Sequence, residues 1–168
     1  MKDGEYGLGE GAAIQWYILG KHKYHGDFLP TDLEKKCKIM QIISYEMTTL
    51  RKSTGAFYYS EVVGPRFFKK APAEADAIAK FKEDFDKDLD KLTAFIKANG
   101  GEYLTGEHYT LGDLNAFCFV SLVIHNKLYN LDKHPEVAKW YDNCANQKGW
   151  VETLQIADAF WAKAAGGQ

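Results

Sequence analysis

The chain has 168 residues, of which 46% are hydrophobic, and this length suits one ordinary domain with a sizeable core. Its 21 lysines and arginines nearly balance 23 aspartates and glutamates, and no basic cluster stands out, which argues against nucleic acid as a partner. The longest near-apolar run, residues 116–124, is about half of what a bilayer requires, and no secretory signal is recognisable, so we predict a soluble protein without membrane insertion.

The first predicted elements are a short strand and a helix. Residues 5–9 (Glu-Tyr-Gly-Leu-Gly) are compatible with one strand, and the sequence that follows Gly11 reads as a helix. Strand signals are confined to this opening segment.

A long helix is predicted after Pro30. Thr31 and Glu34 have the spacing of a capping box, in which two side chains bond free backbone N–H groups at a helix start. Glycine in a helix interior costs about 1 kcal/mol relative to alanine, so residues 53–55 (Ser-Thr-Gly) are a candidate bend or break. Apolar residues recur at steps of three and four along this helix, and they are Leu33, Cys37, Met40, Ile43, Met47 and Leu50.

A second helix is predicted from about Pro72 to Asn99. Acidic side chains in its first turn suit the helix dipole, and Gly100 can supply the left-handed residue of a helix end. We interpret the acidic positions of its middle as a solvated outer face rather than an acid/base pair; they are Asp84, Asp86, Asp88 and Asp90. The predicted apolar stripe contains Ile78, Phe81, Phe85, Leu89, Leu92 and Ile96.

A third helix is predicted to begin at Thr110, where two helix-start signals coincide. Thr110 at the N-cap and Asp113 three residues later form a capping box, a device worth about 1 kcal/mol. Tyr109 before the cap can also pack on Leu114 as a hydrophobic staple.

Two shorter helices complete the predicted pattern. One opens at Pro135 and the other follows Gly149. From residue 30 to about residue 165 the pattern is helix after helix with short connections, so we predict an all-α bundle.

Three widely spaced cysteines, Cys37, Cys118 and Cys144, indicate free thiols rather than a disulfide framework. Free thiols fit a reducing compartment, and we expect a cytoplasmic protein. The spacing of His22 and His25 could suit a metal, but no third ligand lies close in the sequence, and we predict no metal site.

In combination, three separate motifs resemble the cytosolic glutathione S-transferases, and in particular their theta-like members. The segment 103–107 (Tyr-Leu-Thr-Gly-Glu), a short gap and the Thr110 capping box are similar to the start of the buried helix in that family's all-helical C-terminal half. Residues 3–18 resemble the last strand and helix of its thioredoxin-like domain, and residues 48–68 resemble its long fourth helix.

The resemblance implies a domain layout. Residues 1–22 would be a remnant of the thioredoxin-like domain, residues 23–29 a linker, residues 30–165 a glutathione-transferase C-terminal-like helical bundle, and residues 166–168 a tail. An all-α fold with a short strand and helix at its N-terminus is therefore expected.

The resemblance also implies remnants of a glutathione site. Glu10 matches the acid of a Glu-Ser pair that binds the γ-glutamyl end of glutathione, but Gly11 replaces the serine and removes a charge-assisted hydrogen bond worth about 1.5–3 kcal/mol. Arg51 matches an arginine that theta-like members turn toward the cleft, and Tyr59 and Trp161 fall near hydrophobic-pocket positions. Each has a structural alternative: Glu10 as a first-turn acid, Arg51 as a surface cation, and the two aromatic residues as core.

Two functions are compatible with the resemblance. In the family, the group that activates the glutathione thiol precedes the position of Asp3, so we expect no catalytic residue here and favour a non-catalytic protein-interaction or assembly module. Related helical domains serve as docking surfaces in the gamma subunit of translation elongation factor 1 and in aminoacyl-tRNA synthetase assemblies. The alternative is a transferase that conjugates glutathione to hydrophobic electrophiles, with its N-terminal part missing or supplied by another chain. No cofactor is predicted, and glutathione would be the substrate of the alternative.

The resemblance finally implies an exposed apolar patch where the thioredoxin-like domain rests in the family. We expect the patch to bind another protein chain or a second copy, which makes an oligomer or a subunit of a complex. A single strand cannot satisfy its own edges, so residues 1–11 should lie irregularly on the bundle or pair with another chain. The patch comprises Leu8, Ile14, Trp16, Tyr17 and Ile18.

Overall fold

A short hairpin precedes a bundle of helices in the computed structural model, which describes the backbone of residues 1–24 and 26–166 and the side chains of residues 1–24 and 26–160. The predicted all-α fold is confirmed. The elements are β1 (Lys2–Asp3), β2 (Tyr6–Gly7), α1 (Gly11–Lys21), α2 (Leu33–Tyr45), α3 (Arg51–Tyr58), α4 (Gly64–Phe68), α5 (Ala75–Asn99), α6 (Leu111–His125), α7 (Pro135–Ala145) and α8 (Lys148–Gly166).

The N-terminal residues form a hairpin rather than the single strand that the sequence predicted. β1 pairs antiparallel with β2, with Lys2 opposite Gly7 and Asp3 opposite Tyr6. The two-residue loop begins with Gly4 at φ 61°, a conformation that glycine adopts without steric cost, so the chain reverses at once. The expectation of an irregular course is therefore wrong for residues 2–7, and pairing with another chain stays a prediction.

A long helical segment covers residues 33–68 and begins one residue later than predicted. Asp32 is the N-cap, and its Oδ1 accepts a hydrogen bond from the Lys35 N–H at 2.9 Å. The sequence favoured Thr31 because Glu34 follows it at capping-box distance, but aspartate is an equally good cap.

Two π-helical turns, Glu46–Leu50 and Tyr59–Val63, join α2 to α3 and α3 to α4. Gly55 lies inside α3, so the predicted bend or break at residues 53–55 is wrong. A buried hydrogen bond from the Thr54 hydroxyl to the Leu50 carbonyl, 2.6 Å long, supports this stretch.

Only one of the two apolar faces of α2 is buried. Ile39, Ile42 and Ile43 lie in the core. Leu33 and Met40 belong to the predicted stripe but are 73% and 44% exposed. Both faces satisfy steps of three and four, so periodicity alone could not choose between them.

α5 and α6 supply most of the larger core cluster. α5 begins at Ala75 rather than near Pro72, and it ends at Gly100, which adopts the predicted left-handed conformation at φ 68°. α6 is buried along most of its length, as the resemblance implied. The larger cluster includes Phe85, Leu89, Leu92, Phe117, Val120 and Trp140.

A smaller cluster attaches α1 to the bundle. Its buried members are Leu29, Ile39, Ile43 and Leu111, and Trp16 is among the half-buried side chains packed against them. The Leu111 N–H donates to the Phe28 carbonyl at 3.0 Å, so the segment between α1 and α2 is docked on the start of α6. Within the described residues, no helix is long and apolar enough to cross a bilayer.

Candidate functional site

The capping box at the start of α6 forms as predicted and is part of a larger buried network. The carboxylate of Asp113, which is 0% exposed, accepts at Oδ2 from the Thr110 N–H at 2.9 Å and the Thr110 hydroxyl at 2.7 Å. Its Oδ1 accepts from the Leu104 N–H at 2.8 Å and the Trp140 indole N–H at 2.9 Å. One carboxylate therefore joins the loop before α6, the start of α6 and α7.

The chemistry of this network is structural. Burial raises the pKa of the Asp113 carboxyl, and the hydrogen bonds from Leu104, Thr110 and Trp140 oppose that rise. Tyr109 stacks on Phe28 at 5.7 Å, measured between ring centroids. Leu114 packs against the smaller cluster, and its staple contact with Tyr109 stays a prediction.

Arg51 is bound to a buried carboxylate. Its Nε donates to Glu46 Oε1 at 2.8 Å and its Nη2 donates to Glu46 Oε2 at 3.2 Å, which is a bidentate pair, and Glu46 is 0% exposed. The guanidinium also lies 4.7 Å from the centroid of the Phe119 ring. These contacts hold the guanidinium against the buried Glu46, while the Arg51 side chain is 43% exposed, so both interpretations of Arg51 stay open.

Glu10 lies close enough to Arg51 for their charges to interact. The hydrogen bonds to Glu46 raise the pKa of the Arg51 guanidinium most, burial opposes them, and the charge of Glu10 adds to the rise. Glu10 is the N-cap residue of α1 at φ 61°, and its side chain makes no capping hydrogen bond. Gly11 is the first residue of that helix. Two of the residues matched to the glutathione site, Glu10 and Arg51, thus lie within electrostatic range of each other.

The structure describes the side chain of one of the two predicted pocket aromatics, Tyr59. Tyr59 is 42% exposed, so the alternative of a core residue is wrong for it. Its ring contacts Phe68 at 6.2 Å between centroids, and the Lys70 ammonium lies 5.4 Å from its centroid. Trp161 belongs to α8, but its side chain is outside the described residues.

The predicted N-terminal patch is largely used within the chain. Tyr17 donates a hydrogen bond to Asp3 Oδ2 at 2.6 Å and stacks on Tyr6 at 5.0 Å between centroids. Leu8 and Ile14 are half-buried. Of the five predicted patch residues, Ile18 is the one that stays exposed, at 44%.

Trp16 lines a groove that opens to solvent between α1 and α2. This α1–α2 groove has a volume of about 370 Å³ and is lined by Trp16, Leu33, Lys36, Cys37 and Met40. The indole N–H of Trp16 is buried and finds no hydrogen-bond partner among the described residues. The exposed face of α2, rather than α1 alone, therefore presents the apolar surface.

Two aspartates of α5 were wrongly interpreted as solvated. Asp88 is 4% exposed, and it accepts a hydrogen bond from the Tyr45 hydroxyl at 2.5 Å and another from the Ser53 hydroxyl. Position 88 lies three residues after Phe85 and four before Leu92, so the helical period could have placed it on the buried stripe.

The Asp86 carboxylate also has hydrogen-bond partners within the bundle. It accepts hydrogen bonds from the Tyr129 hydroxyl and from His134 Nε2, the latter at 3.0 Å. Burial raises the pKa of the Asp86 carboxyl, but these hydrogen bonds outweigh burial and hold the pKa below its usual value.

The cysteines and histidines form neither a reactive pair nor a metal centre in the described part of the chain. Burial raises the pKa of both the Cys118 and the Cys144 thiol, which keeps them protonated, and Cys37 is exposed. In residues 1–24 and 26–160 no set of three acidic, histidine or cysteine side chains is placed to hold a metal ion. His25 lies outside the described residues.

Comparison with known families gives one extended match. A family model described as "Glutathione S-transferase, C-terminal domain" matches residues 38–152. Human glutathione S-transferase theta-1 is 27% identical over 140 residues, which cover 83% of this chain and 58% of that relative.

Solved structures agree with the sequence matches. The apo form of human glutathione-S-transferase T1-1 superposes with a TM-score of 0.78 at 26% identity and covers 86% of this chain and 59% of its own. Glutathione transferase F2 from Populus trichocarpa gives a TM-score of 0.80 at 20% identity over 94% of this chain and 74% of its own, a likeness of fold alone. The chain thus spans less than two-thirds of the length of the human relatives it matches.

Proposed function

The chain belongs to the glutathione S-transferase family, and from that premise we propose that it acts as a docking module that binds another protein chain. The observation that carries the proposal is the α1–α2 groove. Leu33, at 73% exposure, and Met40 lie beside a tryptophan whose buried N–H has no partner in the described residues. Apolar side chains grouped in this way mark binding surfaces on proteins.

The state of the matched glutathione residues also favours docking. Both oxygens of Glu46 are bound by Arg51, so that guanidinium already has a buried, charge-matched partner. Gly11 has no hydroxyl to offer a ligand carboxylate. We therefore propose that the docking module does not bind glutathione.

A second candidate is glutathione conjugation. The observation in its favour is the electrostatic interaction between Glu10 and Arg51, the two charged residues matched to the family's binding site. The theta-1 relative is named a glutathione S-transferase, which supports this candidate. The activity of the whole protein is a proposal under both candidate functions.

The proposal also covers the domain layout, the assembly and the cellular location of the module. We assign residues 1–22 to part of a thioredoxin-like domain and residues 30–165 to the helical domain, joined by residues 23–29. We propose an oligomer or a subunit of a complex, since the α1–α2 groove is open to a second chain. A cytoplasmic location is proposed because the chain carries three free thiols.

The test uses the 168-residue chain in three measurements: sedimentation equilibrium over a concentration series, calorimetric titration with glutathione, and a chlorodinitrobenzene conjugation assay. We expect self-association, no heat of glutathione binding and no conjugate. Met40→Glu should weaken association, whereas Met47→Glu should not, because Met47 has a similar exposure (42% against 44%) but does not line the groove. A monomer that turns over glutathione would replace docking with the second candidate.

A further inference from the structure

A second groove, lined by three lysines, lies between α5, α6, α7 and the loop that follows α6. Its volume is about 710 Å³. Lys82 of α5, Lys127 and Lys133 of the loop carry its positive charge, and its apolar lining includes Ile124, Leu128 and Tyr141. This lysine groove shares no lining residue with the α1–α2 groove.

The three lysines contrast with Lys80 and Lys87 of α5, which pair with carboxylates. On α5, Lys80 pairs with Asp84 at 2.9 Å and Lys87 pairs with Glu83 at 2.5 Å. Among the described residues, Lys82, Lys127 and Lys133 take part in no ion pair. Their charges are therefore available to a ligand.

The formal charge of the lining itself is positive, because three lysines stand against one aspartate. Asp142 is the one carboxylate among the described residues of the lining. Lys133 acts at longer range on Asp86, which already accepts hydrogen bonds from Tyr129 and His134. The lining thus combines apolar side chains with a net positive charge.

Lys127 stands where a helix end usually has glycine. It follows the C-cap of α6 and has φ 57°, a left-handed conformation that non-glycine residues rarely adopt. Its N–H donates to the Ile124 carbonyl and the Leu128 N–H donates to the Val123 carbonyl, both at 3.0 Å. The backbone there is determined by these bonds, so a glycine would keep the turn and remove the Lys127 side chain with its ammonium group.

We propose that the lysine groove binds an acidic amphipathic segment of a partner protein. The inference goes beyond the docking role proposed above, because it concerns a different surface. Apolar side chains of such a segment would cover Ile124, Leu128 and Tyr141, while its carboxylates would meet the three ammonium groups. The groove is open to solvent, which suits a peptide better than a small molecule, because small ligands are usually buried over most of their surface.

The experiment measures binding of a fluorescein-labelled peptide by fluorescence anisotropy with the whole chain. The peptide carries leucine or phenylalanine at every third or fourth position and glutamate elsewhere, and a second peptide has glutamine in place of every glutamate. We expect saturable binding of the glutamate peptide, a weaker response of the glutamine peptide, and a several-fold loss of affinity from about 0.05 to 0.3 M salt.

A matched pair of variants locates the site. Lys127→Gly should weaken binding about two- to five-fold, the range for loss of one exposed ion pair. Lys69→Gly should leave binding unchanged, because Lys69 also ends a helix in the left-handed conformation, at φ 50°, but does not line the groove. The combined change of Lys82, Lys127 and Lys133 to glutamine should lower affinity at least about ten-fold.

Three results would overturn the inference: no saturable binding, equal affinity for the two peptides, or equal losses in Lys127→Gly and Lys69→Gly. Those results leave the proposed function standing if Met40→Glu still weakens association. Conversely, the chain could fail to self-associate and still bind the glutamate peptide through the three lysines. That result would reject only the proposal for the α1–α2 groove.

Discussion

At the scale of single residues, the buried carboxylates of this bundle differ in the kind of group that bonds to them. Asp113 accepts from two backbone N–H groups and one indole N–H, in addition to one hydroxyl. Asp88 accepts from two hydroxyls, those of Tyr45 and Ser53. An N–H group can only donate, whereas a hydroxyl can rotate and accept, so the two sites should respond differently to an amide.

We expect Asp113→Asn to lower the free energy of unfolding by about 2 kcal/mol or more, because the amide NH₂ must face at least one donor that cannot reverse. Asp88→Asn is the matched control, with an expected loss of about 1 kcal/mol or less, since the Ser53 hydroxyl can turn to accept. Urea unfolding followed by circular dichroism measures both. If Asp88→Asn lowers the free energy of unfolding as much as Asp113→Asn does, the type of hydrogen-bond donor does not determine the loss of stability.

The sequence predicted the role of Asp113 but not the burial of Asp88, and the difference lies in how far along the chain their hydrogen-bond partners are. The capping box is a four-residue device whose partners are neighbours in sequence, so Thr110 and Asp113 could be predicted together. The partners of Asp88 are 43 and 35 residues away, and only packing of α5 against the preceding helices brings them close. A charged residue flanked by other charges then looked like part of a solvated face.

At the scale of elements, the long helical segment shows which sequence signals compete. Thr31 and Asp32 are both good caps, and the structure uses Asp32. The apolar positions of α2 compete in the same way: the core includes Ile39 and Ile42, which the predicted stripe omitted, together with Ile43, which belonged to it. The π turns were not predictable, because their extra residue follows from how the buried side chains on either side must face the core.

The start of α2 can be tested with two alanine variants. Asp32→Ala should lower the free energy of unfolding by about 1 kcal/mol, since it leaves the Lys35 N–H without its acceptor. Thr31→Ala should change it by less than about 0.5 kcal/mol, because Thr31 is exposed and lies outside the observed cap. Thermal and urea unfolding of the two variants side by side provide the measurement. A larger loss for Thr31→Ala would place the cap where the sequence first suggested.

At the scale of the whole molecule, the N-terminal segment and the helical bundle are held together unequally. α1 contains no fully buried residue, whereas α6 is buried along most of its length. α1 contacts the bundle through Trp16 and its neighbours in the smaller cluster and through a hydrogen bond from the Asn115 amide to Gln15 Oε1 at 2.9 Å. The hairpin is joined to α1 by Asp3 and Tyr6, which contact Tyr17.

Regions with few buried contacts open at a lower free energy than the global unfolding reaction, so we expect α1 amides to exchange hydrogen faster than α6 amides. Trp16→Ala should lower the opening free energy of α1 by about 1–3 kcal/mol, roughly half the usual cost of removing a buried aromatic side chain, without changing exchange in α6. Tyr17→Phe is the control, because Tyr17 bonds the hairpin and should affect residues 1–8 alone. Hydrogen exchange with mass spectrometry resolves these segments. Equal acceleration of α1 and α6 in Trp16→Ala would mean that they unfold as one unit, and Trp16 would then belong to the same cooperative core as Phe117.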